Sequence, residues 1–313
     1  MIGDADDPSE ATRTAGGARP PDGLAPLRDV IREFDLAADK ALGQNFLLDF
    51  NLTRRIARLA AGGNTARPGG ALAGRSVLEI GPGPGGLTRA LFMEGADRVI
   101  AIERDERCRP ALEQIAERYP GRFDVIWGDA LAMDWRDVAS RFGCKPIIAA
   151  NLPYNVATLL LINWLETEPW PPWYERMSLM FQREVADRIT SRPNSKSYGR
   201  LAVISQWRCE VSLSLALKPD AFVPPPKVSS ALVEFVPRAT MAPPCPVDVL
   251  GKITAAAFGQ RRKMLRQSLK AVTAFPELLL DRCGIEGTRR GETLSVTEFA
   301  TLAMALSEPA HKA

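Results

Sequence analysis

Apolar residues along this chain follow two periods. Ser76–Ile80, Arg98–Ile102, Phe123–Trp127, Pro146–Ala150 and Met177–Gln182 are short, nearly continuous apolar runs closed by glycine, proline or a polar residue, and they read as buried strands. Between them lie stretches at helical spacing. Asp49 reads as the N-cap of a helix carrying Leu52, Ile56 and Leu59 inward, and further helices are predicted over Leu87–Met93, Asp105–Tyr119 and Thr158–Leu165. Strands alternating with helices predict βαβ units and a parallel sheet. Val203–Val211 and Ser230–Val236 read as an antiparallel pair that closes it. After the proline-rich stretch Pro237–Pro246 the pattern becomes helical. Phe258, Leu265, Leu269 and Val272 mark one apolar face, Pro276 opens a short helix stopped by Gly284, and Ser295 with Glu298 forms a capping box for the last helix. The expected organisation is an α/β sheet domain over residues 27–238 and a small helical domain over 239–306. Residues 1–26, poor in large apolar side chains, and residues 307–313 are expected to be disordered.

Composition narrows the function classes. With 313 residues, 46% hydrophobic and 25% charged, the chain suits a soluble globular protein of two domains. Its net charge of +3 gives no whole-chain sign of nucleic-acid binding, so a basic surface must come from clustering. One cluster exists. Arg261, Arg262, Lys263, Arg266 and Lys270 share a predicted helix with no acid between Lys252 and Lys270, which is either a solvated face or a stripe for phosphates. The five cysteines are odd in number and none is in CxxC spacing, which argues against a disulfide framework or zinc site and for a reducing compartment. The single histidine, His311, lies near the C-terminus, so neither a histidine base nor a metal centre is expected. No run reaches the length of a membrane span and no signal-peptide pattern opens the chain, while Asp4, Asp6, Asp7 and Glu10 argue against a mitochondrial transit peptide. The expected location is the cytoplasm.

Candidate chemistry gathers at the strands' carboxyl ends, where open α/β sheets bind ligands. Gly81-Pro82-Gly83-Pro84-Gly85-Gly86 follows the first strand, and Glu103 ends the second, placed to accept from ribose hydroxyls. Gly81, Gly83 and Gly86 satisfy a dinucleotide fingerprint, and Glu79–Gly85 equally resembles the first motif of S-adenosylmethionine-dependent methyltransferases. Asp129, after the third strand, either accepts from an adenine amine or caps the next segment. The fourth strand runs into Asn151-Leu152-Pro153-Tyr154, a stiff loop that resembles the substrate-amine motif of adenine-N6 methyltransferases. An ordinary strand-to-helix turn is the competing reading. Gly43–Leu47 reads as a loop packed over a cofactor or simply an entry loop, Arg192–Arg200 as a mobile basic loop, and Phe222–Lys227 as a stiff extended segment.

These stretches together resemble the small-subunit rRNA adenine dimethyltransferases, the family linked to kasugamycin sensitivity in bacteria. The match runs through Gly43–Leu47, Glu79–Gly85, Asp129, Asn151–Asn155, Phe181–Arg188, Tyr198–Leu201, Phe222–Ser230 and Phe258–Leu269. Pro84 and Gly85 and the long N-terminal tail depart from it. The resemblance implies a Rossmann-like class I methyltransferase sheet with a small C-terminal helical RNA-binding domain. It also implies S-adenosylmethionine held by Asn45, Leu47, Gly81, Gly83, Glu103, Asp129 and Asn151. The implied reaction is dimethylation of two adjacent adenines near the 3′ end of small-subunit rRNA, by a monomer acting on a pre-ribosomal small subunit. In that scheme Tyr154 stacks on a flipped adenine, Phe181 offers a second contact, and Asn151 with the Leu152 carbonyl accepts from the amine, Pro153 stiffening the loop. A nicotinamide dehydrogenase, a non-catalytic RNA-binding assembly factor and the erythromycin-resistance type of rRNA methyltransferase are the alternatives.

Overall fold

The structure is a computed structural model, and it describes residues 20–39, 42–63, 68–241 and 243–308. The elements run α1 (Leu27–Glu33), β1 (Phe46–Leu47), α2 (Phe50–Ala60), β2 (Ser76–Ile80), α3 (Gly86–Met93), β3 (Arg98–Glu103), α4 (Arg109–Arg118), β4 (Phe123–Trp127), α5 (Trp135–Ser140), β5 (Ile147–Ala150), α6 (Tyr154–Leu165), β6 (Arg176–Gln182), α7 (Arg183–Ile189), α8 (Arg200–Arg208), β7 (Cys209–Leu217), β8 (Phe222–Val223), β9 (Ser230–Pro237), α9 (Val247–Gly259), α10 (Leu265–Ser268), α11 (Pro276–Arg282) and α12 (Val296–Ser307).

Seven strands form one sheet in the order β4-β3-β2-β5-β6-β9-β7. The first five are parallel, and β9 and β7 pair antiparallel at the far edge. The strand order reverses between β2 and its neighbours β3 and β5, which opens a crevice at their carboxyl ends. Alternate residues of each central strand feed opposite cores. Val77, Val99, Ala101, Ile147 and Ala149 pack towards α2, α3 and α4, whereas Leu78, Ile80, Ile100, Ile102 and Ile148 pack towards α5 and α6. A third core joins the C-terminal helices.

Three expectations need correction. Residues 203–208 are helical, because the strand of this region starts only at Cys209. The run from Leu201 to Ile204 is apolar on both faces, since α8 is wedged between the sheet domain and α9 and α12, and periodicity cannot tell such a helix from a strand. Residues 20–26 are ordered rather than disordered. Asp22 is buried against Arg89, an ion pair that no pattern of apolar residues signals. At the other end Ser307 closes α12 and Glu308 pairs with Arg282 at 3.0 Å, so the last helix outlasts the expected boundary. The expected disorder of residues 1–19 and 309–313 lies outside the described residues. The capping box is present, with the Ser295 hydroxyl accepting from the Glu298 amide at 3.1 Å and Glu298 accepting from the Ser295 amide at 2.7 Å.

Candidate active site

The sharp turn after β2 opens the crevice. Gly81 has φ +68°, and nothing lies within 4 Å of where a Cβ would stand, so its backbone faces open space. Gly86 is different in kind, because a Cβ there would meet the Leu47 carbonyl at 2.8 Å. The turn is thus hollow at one end and tightly packed at the other.

Glu103 closes the turn from β3. Its carboxylate accepts from the backbone amides of Gly83 at 2.8 Å and of Arg104 and Asp105 at 2.7 Å each. Burial raises its pKa, while those three amides pull it back. Three of about four lone-pair sites are taken, which leaves one for a ligand hydroxyl. Asp129 caps the turn after β4, accepting from the Leu131 amide at 2.9 Å, and it pairs with Arg104 at 3.3 Å. Glu79, inside β2, is buried and accepts from the Thr88 hydroxyl at 2.6 Å. Burial pushes its pKa up to about 8.

A roof covers the crevice. β1 pairs antiparallel with β8, matching Phe46 to Val223 and Leu47 to Phe222. Each strand is two residues long, too short to be read from sequence, and each needs the other to satisfy its backbone. This pairing ties Gly43–Leu47 to the Phe-Val-Pro-Pro-Pro-Lys stretch. Gln44 fixes the front of the roof by donating to Asp105 at 2.8 Å and accepting from the Asp39 amide at 2.9 Å.

Under the roof lies Asn151–Tyr154. The Asn151 side-chain nitrogen donates to the Asn45 carbonyl at 2.9 Å. That contact assigns the amide, since only the nitrogen can face a carbonyl, and its oxygen has no partner among the described residues. The backbone carbonyl of Leu152 likewise accepts no hydrogen bond among them. Pro153 is the N-cap of α6, which begins at Tyr154 and not at Thr158 as the apolar pattern suggests. Tyr154 is half-buried, and its hydroxyl sits 2.5 Å from that of Ser230, the first residue of β9. Burial raises the Tyr154 pKa, partly offset by Ser230. Ser230 is a site residue that sequence reasoning misses; only its place in the Phe222–Ser230 match hints at it.

The crevice is lined by Asn45, Leu47, Gly81, Gly83, Glu103, Asp129 and Asn151 together with Leu152, Pro153 and Tyr154, and encloses about 1140 Å³, mouth included. Phe181 is not among its walls. It is 1% exposed, with its ring 6.3 Å from that of Phe235, so it belongs to the core and is withdrawn as a base contact. The reason is parity. Phe181 points to the α5–α6 side of β6, away from the strand ends. The acidic and basic residues among the described lining are Glu79, which burial holds mainly protonated at neutral pH, Glu103, Asp129, and Arg104, the last already paired with Asp129. Such a wall suits a cationic ligand and, among the described residues, offers no free cation to a pyrophosphate.

The basic cluster does not form one helical stripe. α9 ends at Gly259 and α10 starts at Leu265, so Arg261, Arg262 and Lys263 lie on the turn between them. Arg261 is committed to structure: it donates to the carbonyls of Tyr198 at 2.9 Å and Ser195 at 3.1 Å, and pairs with Glu292 at 2.9 Å. Arg266 is half-buried, its backbone tied to Gly287. Arg262, Lys263 and Lys270 are exposed.

Comparison with known proteins adds to this geometry. Residues 36–308 match the family model described as ribosomal RNA adenine dimethylase. The chain is 58% identical over 284 residues to the ribosomal RNA small subunit methyltransferase A of Chelativorans sp. (strain BNC1), covering 90% of this chain and 98% of that one. It is 54% identical to the protein of the same name from Bradyrhizobium diazoefficiens, covering 92% and 97%. Among solved structures, a dimethyladenosine transferase from Plasmodium falciparum superposes with a TM-score of 0.65 at 22% identity over 80% of this chain and 93% of that one. The 23S rRNA methyltransferase ErmE does so with a TM-score of 0.60 at 22% identity over 84% and 100%. Those two share the Rossmann-like class I methyltransferase fold with this chain.

Proposed function

The chain belongs to the ribosomal RNA adenine dimethylase family, and from that premise we propose that it dimethylates the N6 amines of two adjacent adenines near the 3′ end of small-subunit rRNA, with S-adenosylmethionine as methyl donor. The nicotinamide dehydrogenase and the non-catalytic assembly factor fall away with the family. The erythromycin-resistance reading is disfavoured by the relatives at 54% and 58% identity, whose names specify the small subunit, against 22% for ErmE.

One observation carries the chemistry. Two acceptors without partners among the described residues, the Asn151 side-chain oxygen and the Leu152 carbonyl, belong to residues that line the crevice together with Tyr154. An adenine amine has two N–H groups, and its lone pair is delocalised into the ring. Accepting both hydrogens holds the nitrogen in place and favours the tetrahedral, cationic geometry it adopts as it is alkylated. Tyr154 supplies a flat surface for the base once it has left its stack, worth about 1–3 kcal/mol. Ser230 holds that ring by its hydroxyl. S-adenosylmethionine, when bound, supplies a methyl group on a sulfonium that leaves readily. The open face at Gly81 and the acidic wall around Glu103 and Asp129 fit such a ligand, with Asn45, Leu47, Gly83 and Asn151 as its further neighbours. No strong base is required, because the proton is acidic once the nitrogen is alkylated and passes to water. The exposed Arg262, Lys263 and Lys270 serve the rRNA backbone, and the protein works in the cytoplasm on a pre-ribosomal small subunit.

Dimethylation follows from acceptor count. After one transfer a single N–H remains, and one acceptor still holds it. After two none remains, and an unpaired acceptor in a dry pocket costs about 1–3 kcal/mol, so the product leaves. Mass spectrometry of nucleosides from small-subunit rRNA treated with enzyme and excess cofactor should show N6-dimethyladenosine. Monomethyladenosine as the sole product at long times would overturn the assignment.

A further inference from the structure

Two arginines bolt the stretch ahead of α1 to the sheet domain. Asp22 accepts from Arg89 Nε at 2.6 Å and Nη2 at 2.8 Å, while Arg89 Nη1 donates to the Ala25 carbonyl at 2.7 Å. Arg118 Nε donates to the Asp22 carbonyl at 2.7 Å. Asp22 and Arg89 are both buried, and the Arg89 guanidinium lies 4.6 Å from the centroid of the Phe50 ring. A charge pair removed from water is tolerable only when its hydrogen bonds are made, and here every nitrogen of the guanidinium has an acceptor.

The location gives this pair a role. Arg89 stands on α3, the helix that the glycine turn opens into, and Arg118 on α4. Asp22 therefore fixes the approach to α1, whose first residue, Leu27, lines the crevice. Leu27 Cδ2 lies 2.9 Å from where a Cβ on Gly86 would stand, so the leucine is pressed on the backbone of the turn itself. This segment precedes residue 36, where the family match begins.

We propose that residues 20–33 form a strap completing one wall of the methyl-donor crevice, with Asp22 as the positioning residue that seats it. The inference rests on the assignment of the crevice to S-adenosylmethionine. With the strap released, Leu27 leaves the glycine turn, and only the seated fraction of molecules binds the cofactor at full affinity. Apparent affinity then falls by that fraction.

Isothermal titration of wild type and Asp22→Asn with S-adenosylmethionine tests this. The variant should bind about tenfold more weakly, as for a strap seated in roughly one molecule in ten. KM for the cofactor should rise in step, kcat at saturating cofactor should stay within about twofold, and rRNA affinity should not change. A purely structural role would lower the melting temperature and leave the cofactor Kd alone. Hydrogen exchange on the wild-type protein gives a readout that needs no variant. Saturating S-adenosylmethionine should slow exchange at the amides of Gly23, Asp29 and Val30, which bond within the strap. A folded Asp22→Asn with wild-type Kd, or strap amides that exchange equally fast with and without cofactor, overturns the proposal. Wild-type protein that binds no S-adenosylmethionine removes the cofactor assignment instead.

Discussion

Glu79 is buried and Tyr154 half-buried in the crevice, and burial raises the pKa of each. The fold holds Glu79 with a pKa of about 8, against an ordinary 4.5, so it favours the protonated form. The contribution to stability is complete below about pH 4.5 and is lost as the pH climbs through 8. Glu79→Gln keeps an acceptor for Thr88 and cannot ionise. Urea unfolding at pH 6 and pH 9 should therefore show wild type losing ground to the variant at the higher pH, and a difference independent of pH would refute the raised pKa. For Tyr154, the bond to Ser230 is the feature to break. Tyr154→Phe and Ser230→Ala should each slow single-turnover methylation several-fold, on the order of the 1 kcal/mol of one hydrogen bond, and the double variant should be no slower than either. Additive losses would show that the two hydroxyls act separately. Tyr154→Ala should lose far more turnover than RNA affinity. Asn151 and Tyr154 are legible in the sequence because proline and an apolar strand bracket them. Ser230 is not, since a serine at the start of a strand carries no pattern of its own, and Phe181 misleads because the register that turns it inward appears only in the folded sheet.

Among the elements, those with their own periodicity are readable from sequence and those that exist only through a partner are not. The five parallel strands and the capped last helix are predicted near their true bounds. β1 and β8 are invisible, each being two residues long and paired across most of the chain. α8 reads as strand because it is buried on both sides. The basic segment shows how an element boundary changes a prediction. Read as one helix, its cations form a stripe; seen as a turn, it separates Arg261, which holds the Tyr198 and Ser195 carbonyls, from the exposed Arg262 and Lys263. Arg262→Ala with Lys263→Ala should weaken rRNA binding and flatten its salt slope by about 1–2, roughly one unit for each phosphate no longer neutralised, with cofactor affinity unchanged. Arg261→Ala should instead lower the melting temperature. An unchanged salt slope in the double variant would make the pair a solvated face.

The whole molecule is less divisible than a boundary at residue 238 implies. Tyr198, Ala202, Val203 and Trp207 precede that boundary yet share a core with Leu250, Ile253, Phe299 and Leu302. The C-terminal fragment from residue 239 lacks those four side chains, so circular dichroism should show it without a cooperative melting transition. A sharp transition in the isolated fragment would establish an autonomous domain. The roof over the crevice has a consequence in time as well. Its two strands lie about 180 residues apart along the chain, and pairings of such separation are slow to form because the loop between them must close first. On the ribosome the roof cannot shut until Val223 has emerged. A nascent or refolding chain therefore assembles the five parallel strands of its sheet before its capacity to hold a small molecule, and ligand binding should lag behind the recovery of that secondary structure.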